Sequence, residues 1–296
     1  MVKEKTAMSL KAMGKINLSL DVVRRREDGY HEVRMIMQTV DLYDVITLTA
    51  LAPGTQKIVV ETDNDTLPTD ENNLVYKAAK LLMDEFEIAQ GIRITLEKNI
   101  PIAAGMAGGS SDAATVLCGV NEMFGLGLSK EELMKRAVNI GADVPYCIMG
   151  KTALAEGIGE KLTALKDAPR CFVLIAKPDI DVSTKFVYEN LHANELEYHP
   201  DIDKMIESIE ADDLEGLCQV MGNVLETVTI PAYPVIEEIK HIMKENGAIN
   251  AMMSGSGPTV FGIYDTKEKA EVAFQVLESR NNKTKDLAKL VVTTLV

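Results

Sequence analysis

One stretch constrains this chain more than any other: Pro101-Ile-Ala-Ala-Gly-Met-Ala-Gly-Gly-Ser-Ser-Asp112-Ala-Ala. A strand-like run at Ile92–Glu97 leads into it, and a helical pattern from about Ser110 to Phe124 leads out. Small residues at Ala103, Ala104, Gly105, Ala107, Gly108 and Gly109 leave the backbone bare. A bare loop that feeds a helix N-terminus points unpaired N–H groups and the positive end of the helix dipole at one spot, which makes an anion site. Ser110 and Ser111 add hydroxyls for phosphate oxygens or for a metal's coordination shell. A tight turn with a serine cap would need fewer glycines and alanines than this.

Other phosphate and catalytic signatures are missing. A Walker loop requires G-x-x-x-x-G-K-[ST]; Gly150-Lys151-Thr152 imitates its end, but Pro145 stands where the first glycine belongs. The chain contains neither a G-x-G-x-x-G fingerprint nor a G-x-S-x-G elbow, and His31-Glu32 is followed by Met35 where a zinc helix needs histidine. A second glycine loop, Met253-Ser-Gly255-Ser-Gly257-Pro258-Thr259, lies between two apolar runs. A hairpin turn and a close backbone approach to a ligand explain it about equally well.

The remaining pattern reads as α+β. Alternation at Ile16, Leu18, Leu20 and Val22 predicts a half-buried strand, and Val33–Val40, Val45–Leu51 and Lys57–Glu61 look similar, with turns at Asp28-Gly29 and Pro53-Gly54. A helix capped at Asn72/Asn73 would bury Leu74, Ala78, Leu81, Leu82 and Phe86. A third helix opens with a capping box, Ser129-x-x-Glu132, and stops at Gly141. Further on, strands are predicted at Thr152–Ala155, Cys171–Ala176, Ala248–Met253, Thr259–Tyr264 and Leu290–Leu295. Helices are predicted at Ile202–Ile209, Leu214–Val224, Val235–Asn246 and Lys267–Leu277, with a loop at His192–Asp203. A domain boundary is expected near Gly150, giving domains 1–150 and 151–296.

Composition narrows the partners. The chain has 296 residues, and 31 Lys+Arg against 45 Asp+Glu gives a net charge of −14. That balance argues against coating a nucleic-acid polymer or an anionic membrane, but not against a small anion in a locally positive pocket. Cys118, Cys147, Cys171 and Cys218 show no CxxC spacing, so buried free thiols are expected rather than disulfides or zinc. Lys3, Glu4, Lys5, Lys11 and Lys15 interrupt any signal-peptide core, and no apolar run approaches the roughly 20 residues of a membrane span. A cytoplasmic protein is expected.

The two glycine loops, together with Lys15-Ile-Asn17-Leu, resemble the GHMP kinase superfamily, whose members bind ATP phosphates on a Pro-rooted Gly/Ser loop. The matching motifs span 12–259, essentially the whole chain. Ala12-Met-Gly-Lys15-Ile-Asn17-Leu, Arg26-Glu-Asp-Gly29-Tyr30-His31-Glu32, Gly108-Gly-Ser-Ser-Asp-Ala-Ala114, Gly141-Ala-Asp143-Val-Pro145 and Ala155-Glu-Gly-Ile-Gly159-Glu160 are similar to one subfamily. That subfamily phosphorylates a cytidine diphosphate ester of methylerythritol on the non-mevalonate route to isoprenoid precursors. The Gly-Tyr-His and Gly-Ala-Asp-Val-Pro segments separate it from mevalonate and homoserine kinases. Met106 and Ala107 depart from its more usual Leu and Gly, which implies altered loop detail.

The resemblance implies a two-domain α+β fold with ATP and acceptor in the cleft between the domains. It assigns Asp143 as the base for the acceptor hydroxyl and Lys15 as the residue that orients Asp143 and stabilises the transferring phosphoryl. ATP is expected on Pro101, Ile102, Ala103, Ala104, Gly105, Met106, Ala107, Gly108, Gly109, Ser110 and Ser111, with Asn73 and Lys98 near its nucleoside. The acceptor is expected on Asn17, Tyr30, His31, Thr184 and Tyr188, with Tyr30 and Tyr188 sandwiching the cytosine and His31 reading its edge. Mg²⁺ is expected to ride on the phosphates without an assigned protein ligand, Ser111 being a possible contact. Another GHMP kinase acceptor, or a non-catalytic nucleotide sensor on the same fold, stays open. The acidic excess is expected on outer surface at Glu195, Glu197, Asp201, Asp203 and Glu207–Asp213, with Lys15, Lys98 and the helix start at Ser110 keeping the site positive.

Overall fold

The computed structural model describes residues 6–52, 54–55 and 57–296; Lys3, Glu4, Lys5 and Pro53 of the sequence reading lie outside them. The chain forms two compact units that interleave in sequence. The first takes the described chain through Gly14, Leu42–Ile100 and Ala107–Gly150; the second takes Lys15–Asp41, Pro101–Met106 and Lys151–Val296. Two long strands, β1 (Ala7–Arg25) and β2 (His31–Ala50), contribute a stretch to each.

In the first unit, β3 (Ile58–Thr62) connects through helix α1 (Leu74–Glu85) to β4 (Ile92–Glu97). β3 and β4 pair in parallel, as a helical crossover allows, and β4 pairs antiparallel with the end of β2, Val45 opposite Glu97 and Ala50 opposite Ile92. Helices α2 (Gly108–Met123), α3 (Lys130–Ala137) and α4 (Val144–Met149) complete the unit. Ile46, Leu48, Ile92, Ile94 and Leu96 of the sheet pack with Val75, Ala78 and Leu82 of α1 and Val116, Leu117 and Val120 of α2. Asn73 caps α1 as expected, its side chain accepting from the Val75 N–H at 3.0 Å. The buried stripe of α1 is rotated from the predicted one. It runs through Val75, Ala78, Ala79, Leu82 and Met83, leaves Leu74 and Leu81 at its margin, and leaves the C-cap Phe86 exposed. The capping box at Ser129 and Glu132 forms as predicted. The six-residue α4 was not predicted, because a run that short with Pro145 in its first turn carries no periodicity.

In the second unit, β5 (Thr152–Gly157) pairs antiparallel with the first half of β2, and β6 (Lys161–Ala164) folds back on β5. A second sheet is antiparallel throughout, in the order β10-β7-β9-β8. Its strands are β7 (Phe172–Pro178), β8 (Asn250–Met253), β9 (Val260–Tyr264) and β10 (Leu287–Thr294). Around it run α5 (Thr184–Asn190), α6 (Ile202–Glu210), α7 (Leu214–Gln219), α8 (Glu226–Ala232), α9 (Val235–Glu245) and α10 (Lys267–Thr284). A single 3-10 turn at Ala193–Glu195 interrupts the predicted loop.

Two predicted features of this unit change. The helix predicted over Leu214–Val224 stops at Gln219, because the chain beyond it runs alongside β1: the Leu20 N–H donates to Gly222 O at 2.8 Å and the Val224 N–H to Leu20 O at 3.0 Å. The strand predicted to be half-buried is covered on both faces, so Lys15, Asn17, Ser19 and Asp21 are buried along with Ile16, Leu18, Leu20 and Val22.

The four cysteines are free thiols. Cys118 and Cys147 are half-buried in the first unit; Cys171 and Cys218 are buried in the second, and burial pushes each of these two thiols up to about 12.

Candidate active site

In the first unit the glycine loop delivers its last residues into α2. Ala107 sits at the helix N-cap in the left-handed region, φ 55° and ψ 30°, and offers no side-chain cap. An alanine there costs roughly 1–2 kcal/mol over a right-handed residue. The helix therefore opens on uncapped N–H groups, at a position where the resemblance favours glycine. Ser110 falls in the first turn, half-exposed, rather than at the cap. Ser111 is buried and donates its hydroxyl to Met13 O at 2.6 Å, so its proton is spent on the fold.

Beneath this turn lies a buried ionic triad that the sequence did not suggest. Lys98 Nζ bonds both the Asp44 carboxylate and, at 2.5 Å, Asp112 Oδ2. Asp44 also accepts the backbone N–H groups of Asn99 at 2.5 Å and Ile100 at 2.8 Å, while Asp112 Oδ1 has no partner. Burial, reinforced by the Asp44 charge, pushes Asp112 up to about 7 despite Lys98. Lys98 suffers the same desolvation, but Asp112 and Asp44 outweigh it and hold its ammonium above the ordinary lysine range. The Lys98 side chain, expected near the ATP nucleoside, is 6% exposed and committed to these carboxylates. Its charge is thus not free to keep a phosphate site positive, which corrects that part of the charge reading.

Asp143 stands at the N-cap of α4 with φ −83° and ψ −13°, and its side chain makes no capping hydrogen bond. Its carbonyl accepts the Cys147 N–H at 3.1 Å. The backbone thus fixes the residue, and its half-buried carboxylate is not taken up in capping the helix.

In the second unit the start of the phosphate loop meets the second glycine loop. Lys15 is 5% exposed; its Nζ donates to Asn17 Oδ1 at 2.7 Å and to Gly105 O at 3.0 Å. The same carbonyl accepts the Ser254 hydroxyl at 2.9 Å. Glycine is required here: Gly105 has φ +68°, and a Cβ on it would lie 2.2 Å from Ser254 O. Asn17 shares the strand phase of Lys15, and its Nδ2 faces Met35 Sδ at 3.2 Å. The second glycine loop is therefore both a turn between β8 and β9 and a support for Lys15.

The aromatic residues follow from a tight turn. The Arg26 N–H donates to Tyr30 O at 2.7 Å, and Asp28 Oδ1 accepts the Tyr30 N–H at 3.1 Å. This presents Tyr30 at 61% exposure. The ring that meets Tyr188 is His31, with centroids 5.1 Å apart and planes tilted by 41°. Burial, and then the Arg25 charge, lower His31 from its ordinary value, which favours the neutral imidazole. Its Nε2 is buried without a protein partner. Thr184, exposed at the start of α5, shares a 2.8 Å hydrogen bond with Ser256 Oγ. Among the described residues, no group of three or more His, Cys, Asp or Glu side chains is placed to hold a metal ion.

Residues 73–151 match the GHMP kinases N terminal domain and residues 205–283 the GHMP kinases C terminal domain, which sets the class. A 4-diphosphocytidyl-2-C-methyl-D-erythritol kinase of Lachnospira eligens is 56% identical over 93% of this chain and 94% of its own. One of Caldicellulosiruptor bescii is 51% identical over 92% and 94%. A crystal structure of 4-(cytidine 5'-diphospho)-2C-methyl-D-erythritol kinase superposes with a TM-score of 0.82 at 30% identity, covering 97% of this chain and 99% of that one. A homoserine kinase from Cytophaga hutchinsonii superposes with a TM-score of 0.80 at 19% identity, which speaks to the fold alone. The chain belongs to the 4-diphosphocytidyl-2-C-methyl-D-erythritol kinase family of the GHMP kinases.

Proposed function

We propose that this chain transfers the γ-phosphoryl group of ATP to the 2-hydroxyl of 4-diphosphocytidyl-2-C-methyl-D-erythritol, in the cytoplasm, on the non-mevalonate route to isoprenoid precursors. The observation that carries the reading is Lys15: a buried ammonium that donates to two neutral oxygens, of Asn17 and Gly105. A cation kept desolvated on neutral acceptors stabilises charge that develops on a transferring phosphoryl group far better than a solvated one does.

Under this reading Asp143 accepts the proton of the acceptor hydroxyl, since its residue is held by backbone and its carboxylate is not engaged as a helix cap. The bare loop, Pro101 to Ser111, takes the ATP phosphates, and Asn73 and the backbone at Lys98 lie toward its nucleoside. Mg²⁺ bound with ATP would neutralise phosphate charge, and the half-exposed Ser110 hydroxyl could reach it more readily than that of Ser111, which is buried. Neutral His31 offers one ring donor and one acceptor to the cytosine edge, with Tyr30 and Tyr188 supplying ring faces and Thr184 and Asn17 hydrogen bonds to the rest of the acceptor. Residues 1–150 and 151–296 would correspond to the N- and C-terminal GHMP domains, with neither a membrane nor a nucleic-acid polymer as partner.

Incubation with ATP, Mg²⁺ and 4-diphosphocytidyl-2-C-methyl-D-erythritol, followed by product mass, tests the reading. The expected result is one ADP per product heavier by a phosphoryl group; folded protein that forms no ADP overturns it. A panel with mevalonate and homoserine should give no turnover.

A further inference from the structure

Asn223 is 5% exposed and lies on the segment that runs alongside β1, just before α8. Its Nδ2 donates to both Met253 O and Gly255 O, each at 2.8 Å, and its Oδ1 accepts the Leu225 N–H at 3.0 Å. Three residues on, Glu226 Oε1 accepts the Met253 N–H at 2.8 Å while its Oε2 pairs with Lys240 Nζ, also at 2.8 Å. Two side chains of one short segment thus grip both peptide groups of Met253 and the carbonyl of Gly255.

The gripped residues flank Ser254, whose hydroxyl holds the Gly105 carbonyl on which Lys15 Nζ rests. On the other side of Gly255, Ser256 bonds Thr184. Ser254, Gly255, Ser256 and Gly257 are all buried, so their neighbours' carbonyls cannot turn to water and must be met by protein donors. An amide is the neutral side chain that gives two N–H donors from a single atom, and both are used.

We propose that Asn223, seconded by Glu226, is a positioning residue of this enzyme: by clamping Met253 and Gly255 it fixes Ser254 against Gly105 and so sets the place of the Lys15 ammonium, with a lesser effect on Thr184 through Ser256. The effect on turnover rests on the function proposed above; the effect on Lys15 does not.

Asn223→Asp is the direct test, since the isosteric carboxylate has no N–H and faces two carbonyls. The expected kcat is at least about tenfold below wild type near neutral pH, with KM for ATP within about threefold. The ratio of variant to wild-type kcat should rise as pH falls, because the protonated carboxyl regains one donor. In protein labelled with ¹⁵N-lysine, the Nζ resonance that Lys15→Ala removes should shift or broaden in the variant. If wild type itself gives no product, the function fails while this resonance still tests the clamp. Should Asn223→Asp not fold, Ser254→Ala cuts the same link, and the same resonance should move with kcat at least about fivefold down. A folded variant of either kind with kcat within twofold of wild type, or with the Lys15 resonance unmoved, overturns the proposal. So does a loss of kcat in Asn223→Asp that follows thermal stability and leaves the ratio flat with pH.

Discussion

Asp112 and Asp143 show how differently two carboxylates of one unit are treated. Asp143 keeps a carboxylate that no side-chain cap occupies, so Asp143→Ala should leave ATP binding intact while kcat falls on the order of 10²–10⁴, as removal of a general base does; calorimetric titration with ATP beside steady-state kinetics checks both halves. Asp112 is buried with one oxygen unpartnered, and its carboxyl is raised to about 7. Below about pH 4 both the folded and unfolded chains carry its proton, so it costs nothing there. Between about pH 4 and pH 7 the unfolded chain has released the proton while the folded chain still holds it, and stability is lost. Asp112→Asn should therefore gain on wild type by more than about 1 kcal/mol over that interval and level off above it, measured by urea denaturation at a series of pH values. Tyr30, at 61% exposure, supports no core, so Tyr30→Ala should raise KM for the cytidine acceptor several-fold, on the order of 1 kcal/mol of lost ring contact, with the unfolding midpoint unchanged. Lys15, Tyr30, His31 and Asp143 entered the candidate site because each stands in a short contiguous motif. The Asp44 partner of Lys98 was not legible, because it lies 54 positions away and only tertiary folding brings the two together.

Among elements, legibility followed length and punctuation. β4, the start of α3 and the C-terminal end of β9 are where period and capping residues put them; at α3, Ser129 and Glu132 satisfy each other's backbone partners whatever the tertiary context. That cap belongs to α3 alone, a helix of eight residues with little packing of its own, so Ser129→Ala should lower stability by about 1 kcal/mol in thermal unfolding. α4, β6, α5 and α8 are four to seven residues long, too short for a 3.6-residue or alternating pattern to repeat, and none was predicted. The misreading of Leu214–Val224 had a visible warning in Gly222-Asn223, a pair of residues that seldom continue a helix. Reading that break would also have pointed to Asn223. The second face of β1 could not be foreseen, because Lys15, Asn17, Ser19 and Asp21 look solvent-facing until groups distant in sequence, such as Gly105, Met35 and His199, fold onto them.

For the molecule as a whole, the net charge of −14 is carried where expected: Glu195, Glu197, Asp201, Asp203, Glu207, Glu210, Asp212 and Asp213 are exposed. An anionic acceptor then approaches against a repulsive long-range field, and only the local donors at short range favour it. Raising NaCl from about 20 mM to about 150 mM shortens the Debye length to near 8 Å and should raise kcat/KM for the acceptor, by less than about threefold. A fall instead would mean that local positive charge dominates the encounter. The four thiols offer a different use of the same chain. Cys118 and Cys147 belong to one unit, Cys171 and Cys218 to the other, and the second pair has almost no thiolate while folded. An alkylating reagent added during slow denaturation, with the modified peptides weighed afterwards, would therefore time the opening of each unit separately. The molecule carries its own pair of stopwatches, one in each half, with no label to engineer.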